Sequence, residues 1–432
     1  MILRDKFVGC NAGMRGMKHH NRASCIATAL LLFAFGEYAS AMSNDYSGAI
    51  NLAVNRFLVV QKSSGFMPYG FDFLEEKESE PRTMSAANLT RQVGTASVLA
   101  DYYALTEDPR TRPVIKRFLT AFGRYSLPIG KSRMQALIEE TRLLSMPFGR
   151  YKIRAALNRF GLLYETTGPG KVLSPSSDYS MAYTGAVALA LLTELRYSQT
   201  SGDAGFADLR HALLEGLVVL WVPGEGFRQS PTSIDTTPYA EGEAWLALAE
   251  YHRAFPHDRR VSELLADVDA TLIKKYGGAF KINFFHWGVM AASARYADSN
   301  EKKFLDFIKA QTRAFLDRKK DHVDNSNNCA SVEGVADALG ALLSAGEGGA
   351  ELAERARAWV ATEMRKAKQL QIQPGQNEIV FANARIIAPH MQEFAGSFRS
   401  GIYAADTQVD FTAHCVSAMV KLERGKGTTS GY

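Results

Sequence analysis

From residue 46 onward the chain alternates between two kinds of helical segment, and that alternation leaves few folds open to it. Segments 46–62, 108–125, 204–220, 259–276, 300–318 and 349–369 are amphipathic and charged. Segments 85–102, 178–195, 239–251, 284–296, 328–343 and 410–422 are nearly uncharged and rich in Ala, Gly and Ser. Charged amphipathic helices suit an outer layer, whereas small-residue helices suit an inner one, because close helix approach needs small side chains at the contact. Six of each in strict alternation predict a ring of helical hairpins closed on itself, an all-α (α/α)6 toroid. With 46% hydrophobic and 22% charged residues, the chain has material for a large core.

In such a ring the inner helices run parallel and their N-termini open on one face. Connections entering that face are therefore expected to carry function. The runs 65–70, 226–228, 278–280 and 401–403 each pair Gly with an aromatic and predict short strands or hairpins at the rim. The insertion 126–177 predicts one helix over 132–145 and a hairpin over 162–173.

Polar residues gather at the predicted mouths. The first inner helix brings Asn88, Arg91 and Gln92, and the second is preceded by Asp178 and Tyr179. Tyr239, Glu241 and Glu243 open the third, and His286 and Trp287 the fourth. Asn328 and Glu333 belong to the fifth, Asp410 and His414 to the sixth. Glycoside cleavage needs one carboxyl as acid and a second as base or nucleophile. Glu243 is the expected acid, its pKa raised by an apolar setting with Trp245 and Trp287 nearby, and Glu333 or Asp178 is the expected second carboxylate.

Each assignment has a plainer rival. Glu243 and Glu241 both suit the positive end of a helix, and Asp178 suits a helix cap. Glu333 either faces the lumen or pairs with Arg91, and Asp410 with His414, four apart, suits a paired unit. Arg91, Asn88, Tyr239, Glu241, His286, Trp287, Asn328, Asp410 and His414 are expected to contact substrate. Tyr69, Phe71 and Tyr403 add possible aromatic platforms. No HxxxH or CxxC spacing occurs, so neither metal nor cofactor is expected.

The set Arg91-Gln92-x-Gly94, Thr184-Gly185-Ala186, Tyr239-x-x-Gly242-Glu243-Ala244, His286-Trp287, Glu333-Gly334 and Asp410-x-x-x-His414 resembles a pattern in six-hairpin glycosidase-like proteins. These form a broad (α/α)6 group of glycoside hydrolases, polysaccharide lyases and sugar epimerases. Phe285 and Thr184 depart from it, standing where an acid and a lysine are common. The resemblance implies a carbohydrate-active enzyme, with hydrolysis of an oligo- or polysaccharide leading. A polyuronate lyase or C5-epimerase and a non-catalytic saccharide-binding toroid are the alternatives.

Residues 15–41 read as an export signal: basic residues, a short apolar run, and the small-x-small triplet Ala39-Ser40-Ala41. The long basic start points to Met14 or Met17 as the initiating residue. The expected division is a signal over 1–41, a toroid over 42–425 and a flexible tail over 426–432, in a periplasmic or secreted protein. Of the formal charge of +5, the leader carries +3, leaving a mature chain near neutrality with no basic run for nucleic acid. Cys329 and Cys415 remain after cleavage, either bridged or as buried thiols.

Overall fold

The computed structural model describes residues 45–78, 84–132, 164–233, 235–319, 324–381 and 383–429. The expected signal, most of the expected 132–145 helix and residues 430–432 lie outside them. Twelve α-helices alternate among the described residues. The outer ones are α1 (Ser47–Val60), α3 (Thr111–Arg124), α5 (Ala207–Leu220), α7 (Arg259–Tyr276), α9 (Lys302–Lys319) and α11 (Ala350–Leu370). The inner ones are α2 (Ala86–Thr106), α4 (Thr184–Ser201), α6 (Pro238–Ala254), α8 (Ile282–Ser299), α10 (Cys329–Ser344) and α12 (Val409–Thr429).

Each inner helix packs on the next, and α12 packs on α2, so the inner ring closes. The two classes differ in burial as their sequences demand. From Thr184 through Leu195, α4 is buried at every position. By contrast, α3 buries one face, Thr111, Val114, Ile115, Phe118, Leu119, Ala121 and Phe122. Each large apolar side chain removed from water this way contributes roughly 1.5–3 kcal/mol. The chain thus has the all-α (α/α)6 architecture its patterning predicts.

Rim strands are short. β1 (Gly70–Asp72) sits between β2 (Lys77–Glu78) and β9 (Asp406–Gln408), and β5 (Trp221–Val222) pairs with β6 (Gly226–Phe227). β7 (Glu378–Val380) pairs with β8 (Arg385–Ile387) over a separate small core of Phe73, Ile372, Ile379 and Met391. Two rim expectations need correction. Residues 278–280 form a turn, and at 401–403 only Gly401 joins a bridge, to Ser326. The segment ending at residue 173 does not fold back on itself. β4 (Tyr164–Leu173) pairs antiparallel with β3 (Ser126–Lys131), with a bulge between the pairs Gly130–Glu165 and Ile129–Gly170 that leaves residues 166–169 of β4 unpaired. Gly168 lies in that bulge, pressed against the β3 backbone, since a Cβ there would lie 2.2 Å from the Gly130 Cα.

Cys329, the first residue of α10, is bridged to Cys415 of α12. Of the two readings of these cysteines the structure takes the disulfide. It fastens the last two inner helices near their N-terminal ends.

Candidate active site

The N-terminal turns of all six inner helices surround a cavity of about 580 Å³. Capping makes those turns definite: Ser85 caps α2 by accepting from the Asn88 N–H, and Thr237, followed by Pro238 at the first helical position, caps α6. The cap on α6 sets the orientation of its two glutamates. Two residues apart on a helix means about 200° of rotation, so Glu241 and Glu243 face opposite ways.

Glu243 faces the cavity. It is 4% exposed, one carboxyl oxygen has no hydrogen-bond partner, and burial pushes its pKa up to about 8, with the nearby His414 charge pulling the other way. The carboxyl rests on a glycine of the neighbouring helix, for a Cβ at Gly185 would lie 1.8 Å from its Oε2. Tyr183 and Tyr239 line the same wall. Burial pushes the Tyr183 phenol up to about 12, with the Glu243 charge adding to the shift.

Glu241 is turned to the outer layer and fully buried. Its carboxylate accepts from Lys275 Nζ at 2.7 and 3.0 Å and from the Tyr276 hydroxyl. It is a fastening between α6 and α7 and lies off the cavity, contrary to the contact expected for it.

Glu333 reaches the cavity wall with both oxygens occupied. His286 Nε2 donates to one and His414 Nδ1 to the other, at 3.2 Å. Although burial opposes it, the two imidazoles hold the Glu333 carboxyl below the usual range. Glu333 in turn raises the His414 pKa against the lowering effect of burial, while burial keeps that of His286 low. The ligating atoms of these three residues lie within 4.8 Å of one another, and two imidazoles with a carboxylate are a donor set suited to a transition metal. The contacts are those of a hydrogen-bonded triad, each ring facing its own oxygen.

Arg91 pairs with Asp410 rather than with Glu333, Nε to Oδ2 at 2.8 Å, and its guanidinium lies 5.0 Å from the centre of the Tyr69 ring. Asp410 is therefore not the partner of His414. Its other oxygen, Oδ1, is buried without a hydrogen-bond partner. His286, Trp287 and Tyr239 line the cavity.

Asp178, Asn88 and Asn328 are not among the lining residues. Asp178 is exposed and caps the short 3-10 turn Tyr179–Met181, accepting from Ser176 and Ser180. It is a cap, but of this turn and not of the second inner helix as its plainer reading has it, since the N-cap of α4 is Tyr183. Asn88 accepts from Gln92, and Asn328 donates to Asp324 and Glu363 beneath the rim. Trp245, expected beside Glu243, is directed outward and donates to Asp269 at 2.7 Å. Phe71 belongs to the small rim core.

Tyr183, Gln229, Ser331, Ser417 and Arg196 line the cavity without having been singled out from sequence. Arg196 left a trace there: a lone arginine at the end of an apolar segment needs a buried partner. It has one in Asp101, at 3.0 Å.

No protein-family model matches the sequence, and no curated protein is similar to it in sequence. Solved structures are similar in fold. An alpha-1,6-mannanase of Salegentibacter sp. HEL1_6, solved as an inactive variant with alpha-1,6-mannotetrose, is 12% identical, with 88% of this chain and 99% of that one covered at a TM-score of 0.54. An unsaturated glucuronyl hydrolase specific for heparin is 12% identical over 89% of this chain and 97% of its own, at 0.53. A sugar epimerase from a ruminal bacterium is 10% identical over 90% and 98%, at 0.52. All share the six-hairpin toroid with this chain. The reactions differ among them, so the fold alone does not select one.

Proposed function

We propose that this chain is a carbohydrate-active enzyme that hydrolyses a glycosidic bond, with Glu243 as the general acid. The observation that carries the reading is the Glu243 carboxyl: buried, unpartnered at one oxygen, lining the cavity, and with its pKa pushed up by burial to about 8. A protonated carboxyl is what a leaving glycosidic oxygen needs. Of the other acids, Asp410 is better suited than Glu333 or Asp178 to be the second carboxylate. It lines the cavity with Oδ1 unpartnered, whereas both Glu333 oxygens are engaged and Asp178 caps a turn. In this scheme Glu243 gives its proton to the departing oxygen as the C–O bond breaks. A water attacks the anomeric carbon, and its proton passes to Asp410. Trp287 and Tyr239 offer apolar faces to sugar rings.

Uronate lyase or C5-epimerase chemistry draws support from one different observation, the Glu333 carboxylate that orients two histidines and raises His414. An imidazole so held is suited to moving the C5 proton of a uronate. Incubating the purified protein with a panel of bacterial polysaccharides separates the readings. New reducing ends without absorbance from an unsaturated sugar support hydrolysis, that absorbance supports the lyase, and solvent deuterium at C5 supports the epimerase. Binding without turnover of any kind supports a non-catalytic toroid.

The Cys329–Cys415 bridge supports residence in an oxidising compartment, periplasmic or extracellular, in line with an export signal over residues 15–41. Sequencing the N-terminus of protein recovered outside the cytoplasm tests this, with a start at residue 42 expected. Among the described residues no helix is long and apolar enough to cross a membrane.

A further inference from the structure

A second cavity, of about 670 Å³, lies at the other end of the inner ring, lined by the C-terminal turns of the same six helices. Arg196 and Met290 line both cavities, so they form the partition between them. The partition is braced. Arg196 Nη1 donates to Ser97 Oγ at 3.1 Å and pairs with Asp101, and Asp101 also accepts from Arg424 at 3.0 Å through a side-chain oxygen and at 2.7 Å through its carbonyl. Helices α4, α2 and α12, neighbours in the inner ring, are thereby tied side by side at the level of the partition.

On the hydrolase reading above, we infer that the cavity is a blind pit which admits only the end of a saccharide chain, so that the enzyme releases mono- or disaccharide units with Arg196 and Met290 as its floor. Depth supports this. The Glu243 carboxyl rests against Gly185, and Arg196 lies eleven residues further along the same helix, about 16 Å at 1.5 Å per residue, less the reach of the arginine side chain back toward the mouth. That depth accommodates one or two sugar rings below the scissile bond, and the remainder of the chain leaves by the mouth. A polymer bound along its middle needs a groove open at both ends, and the braced partition closes one. The volume is likewise that of a pocket enclosing a small ligand.

The test uses the purified full chain on a linear oligosaccharide of the linkage it cleaves, labelled at one end, with a cyclic saccharide of the same linkage as control. Chromatography from the earliest time points is expected to show mono- or disaccharide and a substrate shortened by that unit, with the cyclic substrate untouched. Intermediate-length products at the outset, or opening of the cyclic substrate, would overturn chain-end action while leaving hydrolysis standing. Absence of cleavage across the whole panel would overturn the hydrolase reading and this inference with it. Met290→Trp, which fills the floor, is expected to raise KM at least tenfold while the alkaline limb of the pH profile stays in place; an unchanged KM in a folded variant would overturn the assigned floor.

Discussion

The two ends of the inner ring enclose cavities of similar size, about 580 and 670 Å³, and treat charge in opposite ways. At the C-terminal end charges are matched: Arg196 and Arg424 share Asp101, Lys421 pairs with Asp337 at 2.7 Å, and Arg253 pairs with Glu250. Cations there also complement the negative ends of six helices. At the N-terminal end Arg91 pairs with Asp410 and two imidazoles with Glu333, and a disulfide adds to the fastening, yet the Glu243 and Asp410 carboxyls each keep an oxygen without a partner. Buried polar groups are ordinarily satisfied. The two incompletely bonded acids at one end of the ring are the groups on which the proposed function rests.

The sharpest way to break this contrast is Glu243→Gln. Turnover is expected to fall on the order of 10³-fold, the scale of a lost general acid, while the thermal unfolding temperature does not fall and saccharide binding persists in calorimetry. At the other end Asp101→Ala should act on stability, costing roughly 3–5 kcal/mol in urea unfolding, because it strands two guanidiniums that share one buried carboxylate. Replacing Cys329 and Cys415 together by Ser removes a cross-link spanning 86 residues and should cost about 2–4 kcal/mol. In the unmutated chain, thiol titration of non-reduced, denatured protein should find neither cysteine reactive.

Smaller effects sharpen the comparison within α6 itself. Glu241→Gln is expected to cost roughly 1–3 kcal/mol by weakening the partners of Lys275 and Tyr276, with kcat nearly unchanged. The pH dependence follows from Glu243. Its folded pKa, about 8, lies above the usual carboxylate value, so the folded chain binds the proton more tightly than the unfolded chain does. The stabilisation is complete below the unfolded value and is lost as pH rises toward 8, with a slope of at most about 1.4 kcal/mol per pH unit from this group. Denaturant midpoints between pH 5 and 8 should fall less steeply in Glu243→Gln than in the unmutated protein. Activity should fall along an alkaline limb as the acid deprotonates.

Much of the ring was legible because burial writes itself into helix composition. Lys116 and Arg117 on α3 require water on one face, while the unbroken apolar run from Ala186 to Leu192 on α4 forbids it. Rim strands were read less well. Gly168 and Gly170 look like a turn, and only the close passage of β3 reveals a bulged strand that needs room. Within the site, Glu243 was legible from a carboxylate in an apolar helix mouth, and the capping of a turn by Asp178 was the commoner use of that residue. The partners were not legible. Arg91 with Asp410 spans 319 residues and His414 with Glu333 spans 81, and no local pattern encodes a meeting at that distance.

The order of polar and apolar residues along the chain determined by itself that the twelve alternating helices of the described residues form and which six of them face inward, since helical periodicity and burial are local in cause. Tertiary structure decided which inward side chains satisfy one another and which are left open. Hydrogen-bond partnership depends on where neighbouring helices stand, as Glu241 and Glu243, two residues apart, make plain by ending in opposite surroundings.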